Sequence, residues 1–275
     1  MRLVILCSSP YSETSCATAA RLAQWGHTLA GAITLPSWDR ITLLRKLGQW
    51  GARESARYAW AKLWPGRETT AQQVRNPYLK AALQARGPLF RNLHEVAAAQ
   101  DFPVLTTADQ NSPASLAQLR SWSPEAAVFT GGNILREPLL GIPRFGVLNA
   151  HLALLPEIRG MSSPEWSLLR GVPLGITIHR MDAGVDTGPI LLRREFAEAT
   201  ECGSLTDLRN RMIACGIELM GEAISALEAG RLSPAVQADR EKDHQFFVMH
   251  DRLKALAERR LRQRKPSPAA GQTHG

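Results

Sequence analysis

Cysteine is scarce and scattered in this chain. Four thiols (Cys7, Cys16, Cys202 and Cys215) serve 275 residues, and no two form a CxxC pair. That spacing argues against a disulfide framework or a zinc site and makes a reducing cytoplasm the expected location. Long apolar runs are lacking as well. None approaches the ~18 residues that a bilayer span requires, so no membrane contact is expected. The opening stretch, Met1 to Cys7, has an apolar core too short for a signal peptide and reads as a first strand. No GxGxxG follows it, so the dinucleotide fingerprint is missing. Apolar residues themselves are plentiful. With 44% hydrophobic and 21% charged residues, the chain can bury a sizeable core and is not disordered as a whole.

The charge is uneven. Residues 37–91 carry 11 Lys and Arg against 3 Asp and Glu, and residues 252–265 carry 7 against 1. The rest of the chain is mildly acidic. Basic patches attract nucleic acid, anionic membranes or phosphorylated substrates. A solvated helix face is the plainer reading of such runs.

The elements alternate. Residues 3–7 read as a buried strand, 12–26 as a helix with Ser12 or Thr14 as N-cap, and 28–34 as a second strand. This β-α-β order predicts a parallel sheet. Residues 36–91 interrupt it with a basic segment containing Trp38, Trp50, Trp60 and Trp64, read as a helical insertion whose tryptophans form a satellite core, in preference to a partner surface or a membrane-touching face. Strands are then expected at 103–106, 126–130, 146–150 and 175–180, with a helix at 112–121. A long helix at 204–230 starts on a Ser204/Asp207 capping pair, and a basic helix covers 250–264. The domain reading is a catalytic domain at 1–200, a helical extension at 201–265 and a disordered tail at 266–275.

The chemistry concentrates between residues 131 and 192. Asn149 and His151 stand two apart at a strand end, so both point to one face. Pro156, Arg159 and Gly160 follow. Asp182, Gly184, Asp186 and Gly188 then form an Asp-x-Gly-x-Asp-x-Gly run, with Asp186 35 residues after His151. The ordered pattern Asn-x-His-x-x-Leu-Leu-Pro-x-x-Arg-Gly, with its later Asp, resembles the folate-dependent formyltransferases. The likeness is good over residues 126–192 and looser elsewhere.

The resemblance implies a Rossmann-like open, mostly parallel α/β sheet with helices on both faces. It also implies a catalytic trio of Asn149, His151 and Asp186, with 10-formyltetrahydrofolate as co-substrate and no metal. An amine would attack the formyl carbon, and negative charge would gather on the formyl oxygen. Asn149 donates an N–H to that oxygen without changing protonation, and His151 donates best as imidazolium. Asp186 holds His151 in orientation, favours its charged form and helps move the amine proton. In the family, folate is gripped mainly by backbone groups of two loops. By position these are Gly131, Gly132, Asn133, Ile134 and Leu135, and then Met181, Asp182, Ala183, Gly184 and Val185 through to Asp186.

Three further residues are candidates for the acceptor side. Arg159 either meets an anionic substrate group or pins its loop. Glu165 either engages the amine or sits on a solvated helix face. His179 is either a second base or a packed, hydrogen-bonded histidine. The family's usual Ser two residues after the histidine is Ala153 here. The Gly160, Pro164, Trp166 pattern looks closer to sugar N-formyltransferases and to formyltransferases of small-metabolite pathways. The expectation is that no β-barrel of the kind with which methionyl-tRNA formyltransferase holds tRNA follows residue 200, and that no regulatory domain precedes the first strand.

The expected function is therefore N-formyl transfer to the amine of a small metabolite, such as a nucleotide-linked amino sugar or a natural-product intermediate. One alternative is a 10-formyltetrahydrofolate hydrolase, in which only the nucleophile changes. Another is a non-catalytic nucleic-acid binder on the same fold, although nucleic acid is not the expected partner. The basic insertion leaves room for a homodimer.

Overall fold

The computed structural model describes residues 1–36, 76–84, 87–237 and 245–264. They belong to two compact units, residues 1–149 and 150–275, whose boundary falls inside the fifth strand. The four tryptophans of the expected insertion and the tail at 266–275 lie outside the described residues.

The first unit is built on five strands: β1 (Arg2–Cys7), β2 (Thr28–Thr34), β3 (Val104–Thr106), β4 (Ala126–Phe129) and β5 (Val147–His151). Their order is β3-β2-β1-β4-β5, and every neighbouring pair is parallel. Leu3 to Cys7 are fully buried in succession. That is the mark of a central parallel strand covered on both faces, where alternation disappears. Helix α1 (Glu13–Gln24) begins at Ser12, whose hydroxyl accepts from the Ser15 amide.

The described end of the basic segment forms helix α2 (Pro77–Gln84). Asn76 caps it and donates its own amide to Glu13 of α1, 3.1 Å away. Leu79 and Leu83, four apart on one helix face, are buried. Helices α3 (Leu93–Gln100), α4 (Pro113–Trp122) and α5 (Glu137–Leu140) complete this unit. The strand order reverses between β1 and β4, so the carboxyl ends of these two strands mark the switch point where open α/β sheets bind ligands.

The second unit opens at the end of β5. It contains β6 (Arg159–Gly160), α6 (Ser163–Arg170), β7 (Gly175–Arg180), β8 (Ile190–Glu195), α7 (Leu205–Glu228), β9 (Gln245–Phe246) and α8 (Asp251–Arg262). Strands β7 and β8 pair antiparallel, and the short β6 and β9 pair parallel. Helix α7 lies on β7, with Gly216 against Ala150 and Ile176. Helix α8 packs on α6, burying Ala257 and Leu261, and Arg260 donates to the Leu168 and Leu169 carbonyls at the end of α6. This is a mostly parallel α/β fold, as the sequence predicts.

Strand β8, helices α3 and α5 and the β6–β9 pair were not anticipated. Ile190 to Glu195 reads Ile-Leu-Leu-Arg-Arg-Glu, with its exposed end at the charged residues, and so lacks the apolar run of the central strands. Two-residue strands carry no periodicity to read.

Candidate functional site

His151 is the last residue of β5 and is 6% exposed. Its Nε2 lies 2.8 Å from the Ile158 carbonyl oxygen. A carbonyl only accepts, so Nε2 carries the proton and donates. Nδ1 faces the Asp186 carboxylate at 3.4 Å, longer than a well-made N–H···O bond. The loop between β5 and β6 is fastened from below by Thr177 of β7. Its hydroxyl donates to the Ala153 carbonyl at 2.7 Å and accepts from the Leu155 amide at 3.1 Å.

Asp186 arrives on the turn between β7 and β8 with φ +53, in the left-handed region. One carboxylate oxygen accepts from the Gly160 amide at 2.8 Å and faces His151. The other faces Nε2 of His179 at 3.4 Å. The two imidazoles stand edge to face with centroids 6.3 Å apart. The turn closes on itself through Asp182, which accepts from the Gly184 amide and from the Thr187 hydroxyl, at 3.1 and 2.7 Å.

Burial alone would raise the Asp186 carboxyl. The His151 and His179 imidazoles and the Gly160 amide outweigh it and hold the group well below the usual carboxylate range. Burial pushes the His151 imidazole down. Asp186 pulls it partly back, and His179 adds to the lowering. The resting His151 is therefore neutral at pH 7. Desolvation exceeds the attraction of the carboxylate, which still favours the imidazolium that a transferred proton would create.

In the first unit, the loop after β4 is held by the segment before α4. Gln110 is fully buried, and its amide nitrogen donates to the Cys7 and Ile33 carbonyls at the ends of β1 and β2. Its carboxamide oxygen accepts from the Asn133 amide at 3.1 Å, and its own backbone amide donates to the Asn133 side chain at 3.1 Å. Gly132 has φ +151, and a Cβ there would lie 2.0 Å from Gln110 Oε1. Asn111 donates to the Ile134 carbonyl and accepts from the Arg136 amide. Ile134 is left 87% exposed, while Leu135 is buried.

The structure thus brings His151, His179 and Asp186 together, and Asn149 stands two residues before His151 on the same strand. Arg159 is buried and pinned. Its Nε and Nη2 donate to Gln237 Oε1 at 3.3 and 3.0 Å. Glu165 is buried in α6 and gripped by both donors of the Arg209 fork, with Nε at 2.7 Å. Neither expectation for Glu165 foresaw an ion pair. Met181 and Asp182 are half-buried, whereas Ala183, Gly184 and Val185 are exposed.

Sequence reasoning missed the Ile158 carbonyl, Gln110 and Gln237. A backbone oxygen leaves no trace in residue type. Gln110 lies 39 residues before Asn149 and Gln237 lies 51 after Asp186, each in a stretch with no pattern around it. Among the described residues no group of His, Cys, Asp and Glu is disposed to hold a metal ion, and no helix is long and apolar enough to cross a membrane.

Comparison with known proteins places the chain. The family model described as Formyl transferase matches residues 71–224, more than half of the sequence, and the chain belongs to that family. Over 147 residues it is 37% identical to a methionyl-tRNA formyltransferase of Pelobacter propionicus, covering 53% of this chain and 46% of that protein. A methionyl-tRNA formyltransferase of Lachnospira eligens is 30% identical over 197 residues, covering 68% of this chain and 62% of that one. The chain spans about half the length of most of these curated relatives. Among solved structures, glycinamide ribonucleotide transformylase 1 from Symbiobacterium toebii shares the fold with a TM-score of 0.56 at 20% identity, over 86% of this chain and 93% of that one.

Proposed function

We propose that this protein transfers a formyl group from 10-formyltetrahydrofolate to an amine, and that the acceptor is the amine of a small metabolite such as an amino sugar nucleotide or a natural-product intermediate. One observation carries the reading. A buried, neutral imidazole is fixed through Nε2 on a backbone carbonyl, and its other nitrogen opens toward an ionised carboxylate. Such a nitrogen is a base with a stabiliser behind it. As the amine attacks the formyl carbon, Nδ1 of His151 accepts its proton, and Asp186 compensates the imidazolium that results. The protonated Nδ1 and the Asn149 side-chain amide would supply N–H groups for the oxygen that gains charge, and the imidazolium would then return its proton to the folate nitrogen as the bond from that nitrogen to the formyl carbon breaks and tetrahydrofolate leaves.

Each unit by itself carries one loop of the kind that the family resemblance assigns to the folate donor. The 131–135 loop is drawn tight by Gln110 and Asn111 and lies at the carboxyl end of β4, where its main-chain groups would meet the flat ring of the donor. The 181–186 turn, closed by Asp182, offers the same kind of edge. A bound 10-formyltetrahydrofolate would supply the formyl carbon. The residues above orient and deprotonate the acceptor.

A second acceptor reading rests on the printed names of the relatives, which are methionyl-tRNA formyltransferases, and on the basic α8 with its exposed Arg252, Arg259 and Arg262. The experiment compares acceptors directly. The protein is incubated with 10-formyltetrahydrofolate and a panel of amino sugar nucleotides, other small amines, methionyl-tRNA, or water alone, and tetrahydrofolate release is followed by absorbance. Turnover with a small amine, abolished in His151→Ala, is the expected result. Turnover with methionyl-tRNA alone transfers the assignment to tRNA. Release without any acceptor marks a hydrolase, and unimpaired turnover in His151→Ala rejects the catalytic assignment.

A further inference from the structure

Asp186 occupies a backbone conformation that L-residues rarely adopt, at φ +53. Such a residue keeps its conformation only where its surroundings enforce it. Its carboxylate is met by Gly160, His151 and His179. Its backbone is met by a residue that lies far along the chain. The Gln237 amide nitrogen donates to the Asp186 carbonyl at 3.0 Å and to the Gly188 carbonyl at 2.6 Å. A carboxamide nitrogen has two hydrogens, and both are used. On the opposite side Gln237 Oε1 accepts from two nitrogens of Arg159. The orientation of the amide is unambiguous, because two carbonyls face its nitrogen and a guanidinium faces its oxygen.

Gln237 is itself 4% exposed and held in place. Two residues earlier, Ala235 exchanges both backbone hydrogen bonds with Ile190, the first residue of β8, at 2.8 Å each. Arg159 is 1% exposed and directly precedes Gly160, the residue whose amide binds the carboxylate. One side chain therefore spans the two segments that fix the carboxylate: the 186–188 turn that bears it and the β6 strand that grips it.

We infer that Gln237 is a positioning residue, its carboxamide tying the 186–188 turn to the Arg159 guanidinium so that the Asp186 carboxylate stays aimed at His151. The inference rests on the formyl-transfer reading for its catalytic consequence, and on geometry alone for its structural one. Gln237 touches no reacting atom and acts through Asp186. The charged and titratable groups facing His151 are Asp186 and His179, with Arg159 standing behind Gln237.

The test uses Gln237→Met, which keeps the length of the side chain and removes both donors and the acceptor. The titration of His151 is followed by NMR of its ring Cε1 proton, assigned by comparison with His151→Gln, in wild type, Q237M and Asp186→Asn. The His151 midpoint is expected to fall in Q237M toward its value in D186N, because the carboxylate that favours the imidazolium has moved. Turnover is expected to drop about 10- to 100-fold, with KM for the folate donor within about twofold, as misplacement by about 1 Å does. In D186N, adding Q237M is expected to cost no further turnover. Should Q237M not fold, Gln237→Asn, one methylene shorter and unable to span both partners, gives the same readouts. An unchanged His151 midpoint in the folded variant overturns the inference, as does a turnover loss that adds fully to that of D186N. The titration needs no substrate. Absence of turnover in wild type rejects the proposed reaction and leaves the positioning result standing.

Discussion

Gly160→Ala tests the link between the β6–β9 pair and the chemistry. Gly160 has φ +89, and a Cβ placed on it would lie 2.2 Å from the Phe246 carbonyl oxygen. A comfortable carbon–oxygen contact is about 3.3 Å, so one strand must retreat by about 1 Å. The left-handed backbone costs an alanine about 1–2 kcal/mol, and forcing an atom into a filled space costs about 1–3 kcal/mol. Together these reach about 2–5 kcal/mol, a large part of a typical domain's stability. The chain has a cheaper escape, because β9 has only two residues. Releasing it gives up the Met161 amide bond to Phe246 at 2.9 Å, the Trp166 indole bond to the Phe247 carbonyl at 2.9 Å and the Trp166–Phe246 ring contact. Hydrogen exchange read by mass spectrometry is expected to show faster exchange across residues 245–249, with the thermal midpoint several degrees lower. Turnover is expected to fall at least about 10-fold, because release of β9 does not relieve the left-handed backbone at position 160, and its relaxation draws the amide away from Asp186. Wild-type exchange, thermal midpoint and turnover in G160A would refute the reasoning.

Two further expectations concern charge. The acid limb of kcat/KM is expected below the ordinary imidazole value of 6.5, because His151 must be neutral to accept the amine proton, and Asp186→Asn should move that limb lower still while cutting kcat by about 10²-fold or more; a limb above 6.5 in wild type contradicts the assignment. Stability follows the same groups: the unfolded chain binds more protons at both sites, so stability falls as pH drops below 6.5 for His151, and again through the carboxylate range and below it for Asp186. Glu165→Ala leaves Arg209 without its partner, and urea denaturation is expected to show a loss of about 2–3 kcal/mol, less than for a fully buried pair because Arg209 is 36% exposed. A raised KM for the acceptor with unchanged stability would instead make Glu165 an amine-binding residue.

Much of this molecule was legible in one dimension. The buried run at residues 3–7, the Ser12 cap and the return strand at 28–34 dictate a β-α-β unit, because local propensity and burial act on near neighbours in the chain. The spacing of Asn149 and His151 places them on one strand face for the same reason, and the ordered motif through Asp186 named the family whose model matches residues 71–224. Only the tertiary structure decided what surrounds them. The proton on His151 Nε2 is set by the Ile158 carbonyl, and the neutral charge state by burial. Glu165 is taken up by Arg209, 44 residues away, and Asp186 is oriented through Gln237, 51 residues away. Charge state and orientation depend on which atoms exclude water and which atoms face each other, and a residue's identity fixes neither until the chain has closed around it.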